Sequence, residues 1–336
     1  MTTTKGFIRS YSAAIHRMEK ANQQKLKEAE KKLKYENKLE EILHAHHTAL
    51  EHEAHVSSIV SLHKTESETM DWMEISLQLP PVKPEYSDAN ERKAQDSINL
   101  FKPGFIDKIF GYQKKTYKLK EALNIAKVRD TYNLKELMDT FQKDMETWEK
   151  LQKMSSGIQA NDPVAHKEAF EFLNPLQEVE HIGKSMQVNF NSGYTEIDLN
   201  VHPQDIVPKE IISQTSTGKL SKRNMPETKY RKMYQEHICS AVFRCGREVL
   251  ALLPVRFVLV NAHCKLLDTG TGKMDDQTIL SVALTRDKMD IINFNLIDPI
   301  DAMKNFQPHM KLMSSGAGFA PVEKIDPSAI RTLKVS

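Results

Sequence analysis

The sequence predicts an α+β protein in which a long N-terminal helical region is followed by a compact C-terminal domain. Residues up to about 156 are rich in Lys, Glu, Gln, Ala and His and contain almost no glycine, a composition that favours helix. β-branched runs with glycine-containing turns begin only after about residue 186, as is typical of strands and hairpins. A segment with helical periodicity lies between these runs, which favours a helix packed on a sheet.

The compact domain is predicted to form around the helix at residues 230–254. Its apolar side chains recur at three- and four-residue steps, charged residues lie mostly between them, and Pro254 ends the pattern. Strand-like runs precede the helix (MQVNF and TEIDLNV) and follow it (VRFVLVNA and TILSVALT). We therefore expect two β-hairpins packed on one long helix.

The N-terminal region is predicted to form a long helical hairpin. Residues 12–77 contain no Pro or Gly and would form a helix of about 100 Å if unbroken. Prolines within residues 79–86 end this run and favour an extended connector. A second helical region follows at 88–155, with one break at residues 102–104. Because the apolar spacing is looser than a strict heptad, we describe the hairpin as coiled-coil-like.

The segments around the central helix have less regular patterns. The run IVPKEII contains a proline and is predicted as an edge strand or an extended loop. The following segment, SQTSTGKLSKRNMP, is predicted as a loop that leads into the central helix. The second hairpin is expected to have its tip at residues 268–276, and Asp298 and Pro299 should start a short helix.

These patterns divide the chain into four parts. The helical hairpin covers residues 1–156 and includes the proline connector at 79–86. A helical linker covers 157–185, the α+β domain covers 186–326, and a tail covers 327–336.

Composition restricts the classes of function. The formal net charge of +2 gives no global electrostatic reason to bind nucleic acid or an anionic membrane, so any basic site must be local. Three cysteines without a pattern predict reduced thiols and a cytoplasmic location. No apolar run is long enough for a signal peptide or a membrane span, so we expect neither.

Several segments carry a resemblance, among them KPGFIDKIFG, TGKLSKRNMP, YQEHICSAVFRCGREVLALLP and DPIDAMKNF. Together they resemble uncharacterised bacterial proteins that join an N-terminal coiled coil to a C-terminal α+β domain. The resemblance covers nearly the whole chain and agrees with the predicted fold. It implies no activity and no catalytic residues.

A histidine-rich helical stretch, HAHHTALEHEAH, is a candidate metal site. His47, Glu51 and His55 recur at four-residue steps, so their side chains lie on one helix face and could share a divalent ion such as zinc. The stretch does not contain the HExxH motif. The alternative is a set of solvated histidines on an exposed helix.

The segment TSTGKLSKR is a candidate contact for phosphate or a nucleic-acid backbone through Thr217, Lys219, Lys222 and Arg223. It is not a P-loop, because Leu220 follows the lysine where the motif requires Ser or Thr. The alternative is a mobile basic loop.

The order of strands and helices also permits a metal-dependent nuclease site. Asp198 would supply one carboxylate, and Glu210 or Lys209 a second group, around a divalent metal that activates water. The E-x-K triplet expected of such nucleases is missing, because two isoleucines follow Glu210. Alternating charge on a half-exposed strand explains Asp198 equally well.

The sequence therefore favours a non-catalytic cytoplasmic scaffold. Its helical arm would act as a spacer or an oligomerisation arm, binding a protein partner or a second copy, and the α+β domain would bind another macromolecule, with nucleic acid as one candidate. The alternative is a metal-dependent nucleic-acid-processing domain. The first hypothesis is preferred because no acid/base pair, metal set or phosphate loop satisfies its own spacing rule.

Overall fold

The structure is a computed structural model that describes residues 4–65, 67–102, 112–177, 179–267 and 270–331. It confirms the α+β class, because long N-terminal helices precede a C-terminal part of mixed strands and helices. The helices are α1 (Thr4–Val60), α2 (Trp72–Leu77), α3 (Ala89–Asn99), α4 (Tyr112–Gln159), α5 (Pro163–Leu173), α6 (Val179–Ile182), α7 (Glu227–Leu252), α8 (Arg286–Asp290), α9 (Pro299–Met303) and α10 (Pro327–Arg331). The strands are β1 (Ser185–Asn191), β2 (Tyr194–Asn200), β3 (Glu210–Gln214), β4 (Leu220–Asn224), β5 (Phe257–Leu267), β6 (Met274–Thr285), β7 (His309–Leu312) and β8 (Phe319–Ala320).

The two hairpins predicted around the central helix are present and belong to one sheet. Within the described ranges the strand order is β1-β2-β5-β6-β7-β8. β1 with β2 and β5 with β6 are antiparallel hairpins, and β2 with β5 is a parallel pair that joins them. A parallel pair needs a long crossover connection. The β3–β4 segment and α7 supply it.

Helix α7 packs on one face of this sheet and forms the main core. Alternation along β2 directs Ile197 and Leu199 toward the helix, while Glu196 and Asp198 point to the opposite face. The central strands β2, β5 and β6 contribute fully buried aliphatic side chains. The buried helix residues with at most 1 % exposure include Tyr234, Ile238, Ala241, Val242, Cys245 and Val249.

The segment expected to be a loop before α7 forms a third hairpin, β3–β4. Its register pairs Glu210 with Asn224 and Gln214 with Leu220. The turn between the strands depends on Gly218, which has φ +83° and lies so close to Ile42 of α1 that a Cβ atom would meet Ile42 Cγ1 at 2.8 Å. A docked α1 therefore stabilises this hairpin, an interaction that local sequence does not reveal.

The two long helices have different packing partners. The main contacts of α1 are with the β3–β4 hairpin and α7, whereas those of α4 are with α2, α3 and α5. Some of the apolar side chains that the sequence placed in a seam between the long helices lie instead against these neighbours, as Ile59 does, and others, such as Leu26 and Leu33, are exposed. Helix α1 also ends at Val60 and not at residue 77, and the chain between α1 and α2 enters the core at His63.

Helix α4 holds the short helix α2 by side-chain to backbone hydrogen bonds. Ser155 donates to the carbonyl oxygen of Trp72 at 2.5 Å, and Gln152 donates to that of Ile75 at 2.6 Å. Trp148 donates to the carbonyl oxygen of Gln78, where the proline connector begins. The predicted break at residues 102–104 lies partly outside the described residues, as does part of the predicted hairpin tip at 268–276.

Two buried histidines lie where the C-terminal end of α1 meets α7. His63 Nδ1 is 2.8 Å from the hydroxyl oxygen of Ser240, and His237 Nδ1 is 2.9 Å from the carbonyl oxygen of Ile59. Because a carbonyl oxygen can only accept, Nδ1 of His237 carries its proton. The Nε2 atoms of both rings are buried without a hydrogen-bond partner. Both rings are therefore suited to the neutral form.

Burial lowers the pKa of His63 and of His237 to about 4. The charges of Lys64 and Arg247 add to the effect on His63, and Asp298 opposes it. These pKa values make the α1–α7 junction sensitive to acid.

We expect the free energy of unfolding to fall as the pH is lowered from about 6.5 to about 4. In this interval the unfolded chain binds protons at His63 and His237 that the folded protein does not bind, so acid favours unfolding. Above about pH 6.5 both histidines are neutral in the folded and in the unfolded protein, so they no longer reduce the free energy of unfolding. Each histidine should account for on the order of 1–2 kcal/mol at pH 5.

Urea unfolding at pH 5, 6 and 7 measures this dependence. His63→Gln and His237→Gln should each reduce it, whereas His55→Gln, at an exposed position of α1, should not. The same pH dependence in all four proteins would contradict the assignment.

Gly246 allows α7 to approach the sheet. A Cβ atom at this position would lie 2.3 Å from Leu284 Cδ1, and Leu284 is fully buried on β6.

We expect Gly246→Ala to destabilise the protein by about 1–3 kcal/mol through overpacking, although alanine is the better helix former by about 1 kcal/mol. Adding Leu284→Val should recover part of this loss in urea unfolding, and a stabilising Gly246→Ala would show that the contact is not tight.

Candidate functional site

The leading candidate site is the part of α1 that precedes its docked end. Every residue in the range 20–41 is exposed, whereas Ala45 and Ile59 further along the helix are buried. At 1.5 Å per residue this exposed range is about 33 Å long. Gln214 donates to the carbonyl oxygen of Ile42 at 2.8 Å and marks where docking begins. We call residues 20–41 the arm.

The arm carries large apolar side chains without neighbours from the rest of the described chain. Leu26, Leu33 and Tyr35 are 63, 57 and 69 % exposed. Leu26 and Leu33 are seven residues apart and therefore lie on one side of the helix, as in helices that pair with a partner helix. Helices in proteins are stabilised mostly by packing of an apolar face, so a partner that covers these side chains would stabilise the arm. The i,i+4 contact of Lys32 with Glu36, at 3.8 Å, contributes little.

The predicted metal-binding residues lie on α1 beyond the arm. His47 Nδ1 is 3.3 Å from Glu51 Oε2, and both side chains are strongly exposed. His55 lies one turn further, and its carbonyl oxygen accepts from the Ser58 hydroxyl. Among the residues that the structure describes, no group of three or more His, Cys, Asp or Glu side chains is arranged to hold a metal ion. A divalent metal here therefore stays a prediction from spacing alone.

The predicted phosphate-binding residues lie on the β3–β4 hairpin. Thr217 and Lys219 are in its turn, and Lys222 and Arg223 are on β4, all with exposed side chains. Strand β4 separates the turn from the N-terminus of α7, so the helix dipole does not act there. Lys219 also lines a cleft of about 720 Å³ together with Lys38, Glu40 and Glu41 of α1. The two carboxylates balance the two ammonium groups, so the cleft has no excess positive charge to attract an anion.

Asp198 is the centre of a polar network on the sheet face opposite α7. Its Oδ1 atom accepts hydrogen bonds from Lys324 at 2.6 Å, His263 Nε2 at 2.9 Å and Asn261 at 3.2 Å. Asn261 also donates to Glu196 at 2.9 Å. The network joins β2, β5 and the segment before α10.

A β-bulge brings a hydroxyl group into the same network. The register between β5 and β6 shifts at His263. One residue of β6 is skipped at this point, so His263 pairs with Thr278. The shift puts Thr278 on the same face as His263, and Thr278 Oγ1 lies 3.2 Å from His263 Nδ1. With His263 donating to Asp198, the Thr278 hydroxyl donates to the other ring nitrogen. This is a hydroxyl–imidazole–carboxylate relay.

The relay is partly covered by the C-terminal segment. Backbone N–H groups of Val322 and Ile325 donate to the carbonyl oxygen of Thr278 and the hydroxyl of Ser281. Nearby, Ile325 packs on the small apolar cluster that includes Phe257. His263 lines a surface cleft of about 510 Å³, but Thr278 does not. The hydrogen bonds from Val322 and Ile325 indicate that the network fixes the C-terminal segment on the sheet.

Hydrogen bonding favours the ionised form of Asp198. Burial acts to raise the pKa of its carboxyl group, but hydrogen bonds from Lys324, His263 and Asn261 outweigh burial, and the pKa is lowered. The carboxylate thus stabilises the fold above its ordinary pKa, and this contribution is lost as acid protonates it.

The other residues of the nuclease hypothesis lie elsewhere. Glu210 is on β3, and Lys209 precedes that strand and accepts at its carbonyl oxygen from the backbone of Met225. Their side chains are exposed, and neither is among the hydrogen-bond partners of Asp198. The structure therefore brings Asp198 together with His263 and Lys324.

The sequence patterns do not predict His263, Thr278 or Lys324 as site residues. The alternation of β5 could have suggested that Asn261 and His263 share a face with Asp198 once the strand order was known. The bulge at Thr278 and the return of Lys324 depend on tertiary packing and leave no sequence signal.

Comparison with protein-family models, with curated proteins and with solved structures gives no match. The resemblance to bacterial coiled-coil proteins therefore stays an expectation from the sequence. In the part of the chain that the structure describes, the helices lack the combined length and apolarity that crossing a bilayer requires. Cys239, Cys245 and Cys264 are free and buried, and burial raises the pKa of Cys245 to about 12 and that of Cys264 to about 11.

Lys324→Ala should loosen the C-terminal segment from the sheet. The change removes the ammonium group that contacts Asp198, so we expect faster amide hydrogen exchange across residues 319–331 with little change in α7. Lys311→Ala, at an exposed position of β7, is the matched control. Unchanged exchange after Lys324→Ala would show that the ion pair does not hold the segment.

Proposed function

We propose that this protein is a non-catalytic scaffold that assembles through the arm of α1, while the α+β domain anchors that arm. The observation that carries the proposal is the arm itself, a helical range whose residues are all exposed and which bears Leu26, Leu33 and Tyr35. A helix with no packing neighbours gains stability only when a partner covers its apolar side chains.

The anchoring of α1 supports this role. Its docked end contacts the β3–β4 hairpin and α7, with Ala45 and Ile59 buried. An arm fixed at one end keeps a defined direction relative to the domain, as a spacer requires. The free, buried cysteines support a cytoplasmic location as part of the same proposal.

Nucleic acid is the weaker candidate among the partners of the domain. Lys222 and Arg223 are exposed on β4 and could contact a phosphate backbone. The carboxylates of Glu40 and Glu41 beside Lys219 weaken the local positive potential. We therefore favour a protein partner.

Metal-dependent nucleic-acid processing is a weaker proposal than the non-catalytic scaffold. It needs Asp198 and Glu210 to share an ion, but Asp198 accepts hydrogen bonds from Lys324, His263 and Asn261 on the main sheet. An ammonium group at 2.6 Å occupies the space where a cation would approach that oxygen. Among the described residues, Asp198 has no hydrogen bond or ion pair with β3, the strand that carries Glu210.

The proposal predicts that loss of arm leucines abolishes assembly. The intact chain should give a mass above that of one chain in light scattering at micromolar concentration, and the double variant Leu26→Ser, Leu33→Ser should give the mass of one chain. Both leucines are exposed, so the α+β domain should unfold in urea as before. Leu137→Ser, at an exposed position of α4, is the control that should leave assembly intact. An intact chain that stays monomeric at all concentrations would overturn the proposal.

A further inference from the structure

We propose that the arm pairs with the same arm of a second copy in antiparallel orientation, with Lys38 at the two-fold axis. The inference rests on the proposed assembly function and specifies its partner and geometry. The surface involved comprises four exposed leucines of α1: Leu26, Leu33, Leu43 and Leu50, which are 63, 57, 59 and 50 % exposed. We call these four residues the leucine seam.

The positions of the leucine seam are symmetric about Lys38. Leu26 and Leu50 each lie twelve residues from Lys38, and Leu33 and Leu43 each lie five residues from it. In an antiparallel pair centred on Lys38, Leu26 therefore meets Leu50 of the second copy, and Leu33 meets its Leu43. The two-fold axis repeats both contacts, which gives four leucine layers.

The same spacing places the leucines in the two core columns of a coiled coil. Leu26 and Leu33 are seven residues apart, as are Leu43 and Leu50. The ten-residue step from Leu33 to Leu43 is one heptad plus three, so the first pair occupies a positions and the second pair d positions. Reversing one helix brings an a position beside a d position of its partner. The register about Lys38 satisfies this rule in every leucine layer.

The leucine seam lies on a side of α1 that the β3–β4 hairpin leaves exposed, and only Leu50, at its end, borders a cleft that β3 also lines. Ile42, Ala45 and Ala49 are the residues that turn toward the β3–β4 hairpin, and all three are partly or fully buried. Leu43 and Leu50 lie among them in sequence yet stay exposed, because at 100° per residue they point to another side of the helix. A second helix can therefore cover the seam without displacing the hairpin.

Charge along α1 favours the antiparallel direction. Residues 25–34 contain five lysines and two glutamates, whereas residues 42–51, which face them in the antiparallel register, contain one glutamate and no lysine. Antiparallel pairing about Lys38 therefore keeps the two basic stretches apart and brings Glu51 of one copy opposite Lys25 of the other. Parallel pairing in register would bring the two basic stretches together. Juxtaposed like charges of this kind suppress the wrong orientation.

Two glutamates limit the strength of the pairing. Glu36 and Glu40 also fall in the core columns. Near the axis, Glu36 of each copy faces Glu40 of the other copy. Like charges in a seam are unfavourable, and polar core residues fix register while reducing stability. We therefore expect a reversible dimer, and the double variant Glu36→Leu, Glu40→Leu should dimerise at least tenfold more tightly.

Cysteine cross-linking tests the orientation. One full-length variant carries Leu26→Cys and another carries Leu50→Cys, and mild oxidation of each alone and of an equimolar mixture is followed on non-reducing gels. Antiparallel pairing predicts a cross-linked dimer mainly in the mixture, containing one chain of each kind. The same result is expected for Leu33→Cys mixed with Leu43→Cys. The native cysteines are buried and should not react.

Tyr35→Cys is the control variant. Tyr35 is exposed on the same helix but lies outside the core columns, so this variant should not cross-link efficiently. Cross-links within each single variant, with little in the mixture, would establish parallel pairing and overturn this inference while leaving assembly through the arm intact. A monomeric mass in light scattering for the intact chain would overturn both the inference and the proposed function.

Discussion

Burial of α7 on the inner face of the six-stranded sheet is the interaction on which the other parts of the protein depend. The fully buried side chains of Tyr234, Ile238, Val242 and Val249 each contribute about 1.5–3 kcal/mol when removed from water. The same helix forms part of the crossover that lets β2 lie parallel to β5. Without that contact the two flanking hairpins would have no common core.

The outer faces of α7 and the sheet then organise the rest of the chain. The end of α1 and the segment after it dock on α7 through His237 and His63, and α2 is held there by the Trp72 indole, which donates to the carbonyl oxygen of Leu252 at 2.5 Å. On the other side of the sheet, Lys324 pairs with Asp198. The polar groups of the core thus serve as attachment points for segments distant in sequence.

The contrast between the two halves of α1 has a functional consequence. Its C-terminal half has a buried face and a fixed position, whereas residues 20–41 have no buried face at all. A long helix with this asymmetry combines an anchor and a free surface. The leucine seam spans both halves, since Leu43 and Leu50 lie beside the anchor and Leu26 and Leu33 lie on the arm. A partner helix would therefore extend the fixed part of α1 and stabilise its exposed part.

Pattern and composition were sufficient where the signal was local. The apolar periodicity of residues 230–254 predicted α7, and the alternation in TEIDLNV with a preceding turn predicted the β1–β2 hairpin. The β3–β4 hairpin has no local signal, because the residues of β4 are mostly polar and exposed and the turn is stabilised by contact with Ile42. The same holds for the partners of Asp198, because a bulge and a returning segment bring His263, Thr278 and Lys324 to it.

The sequence by itself determined the α+β class, the long helices and the central helix, because helical and strand periodicities reflect burial on one side of each element. Only the tertiary structure decided which neighbour each element buries its apolar side against. Helix α1 illustrates the difference, since its leucines and its docked residues have the same amphipathic pattern and only packing distinguishes the side that is covered from the side that stays free. The choice depends on the summed contacts of segments far apart in the chain, and periodicity within one helix does not contain that information.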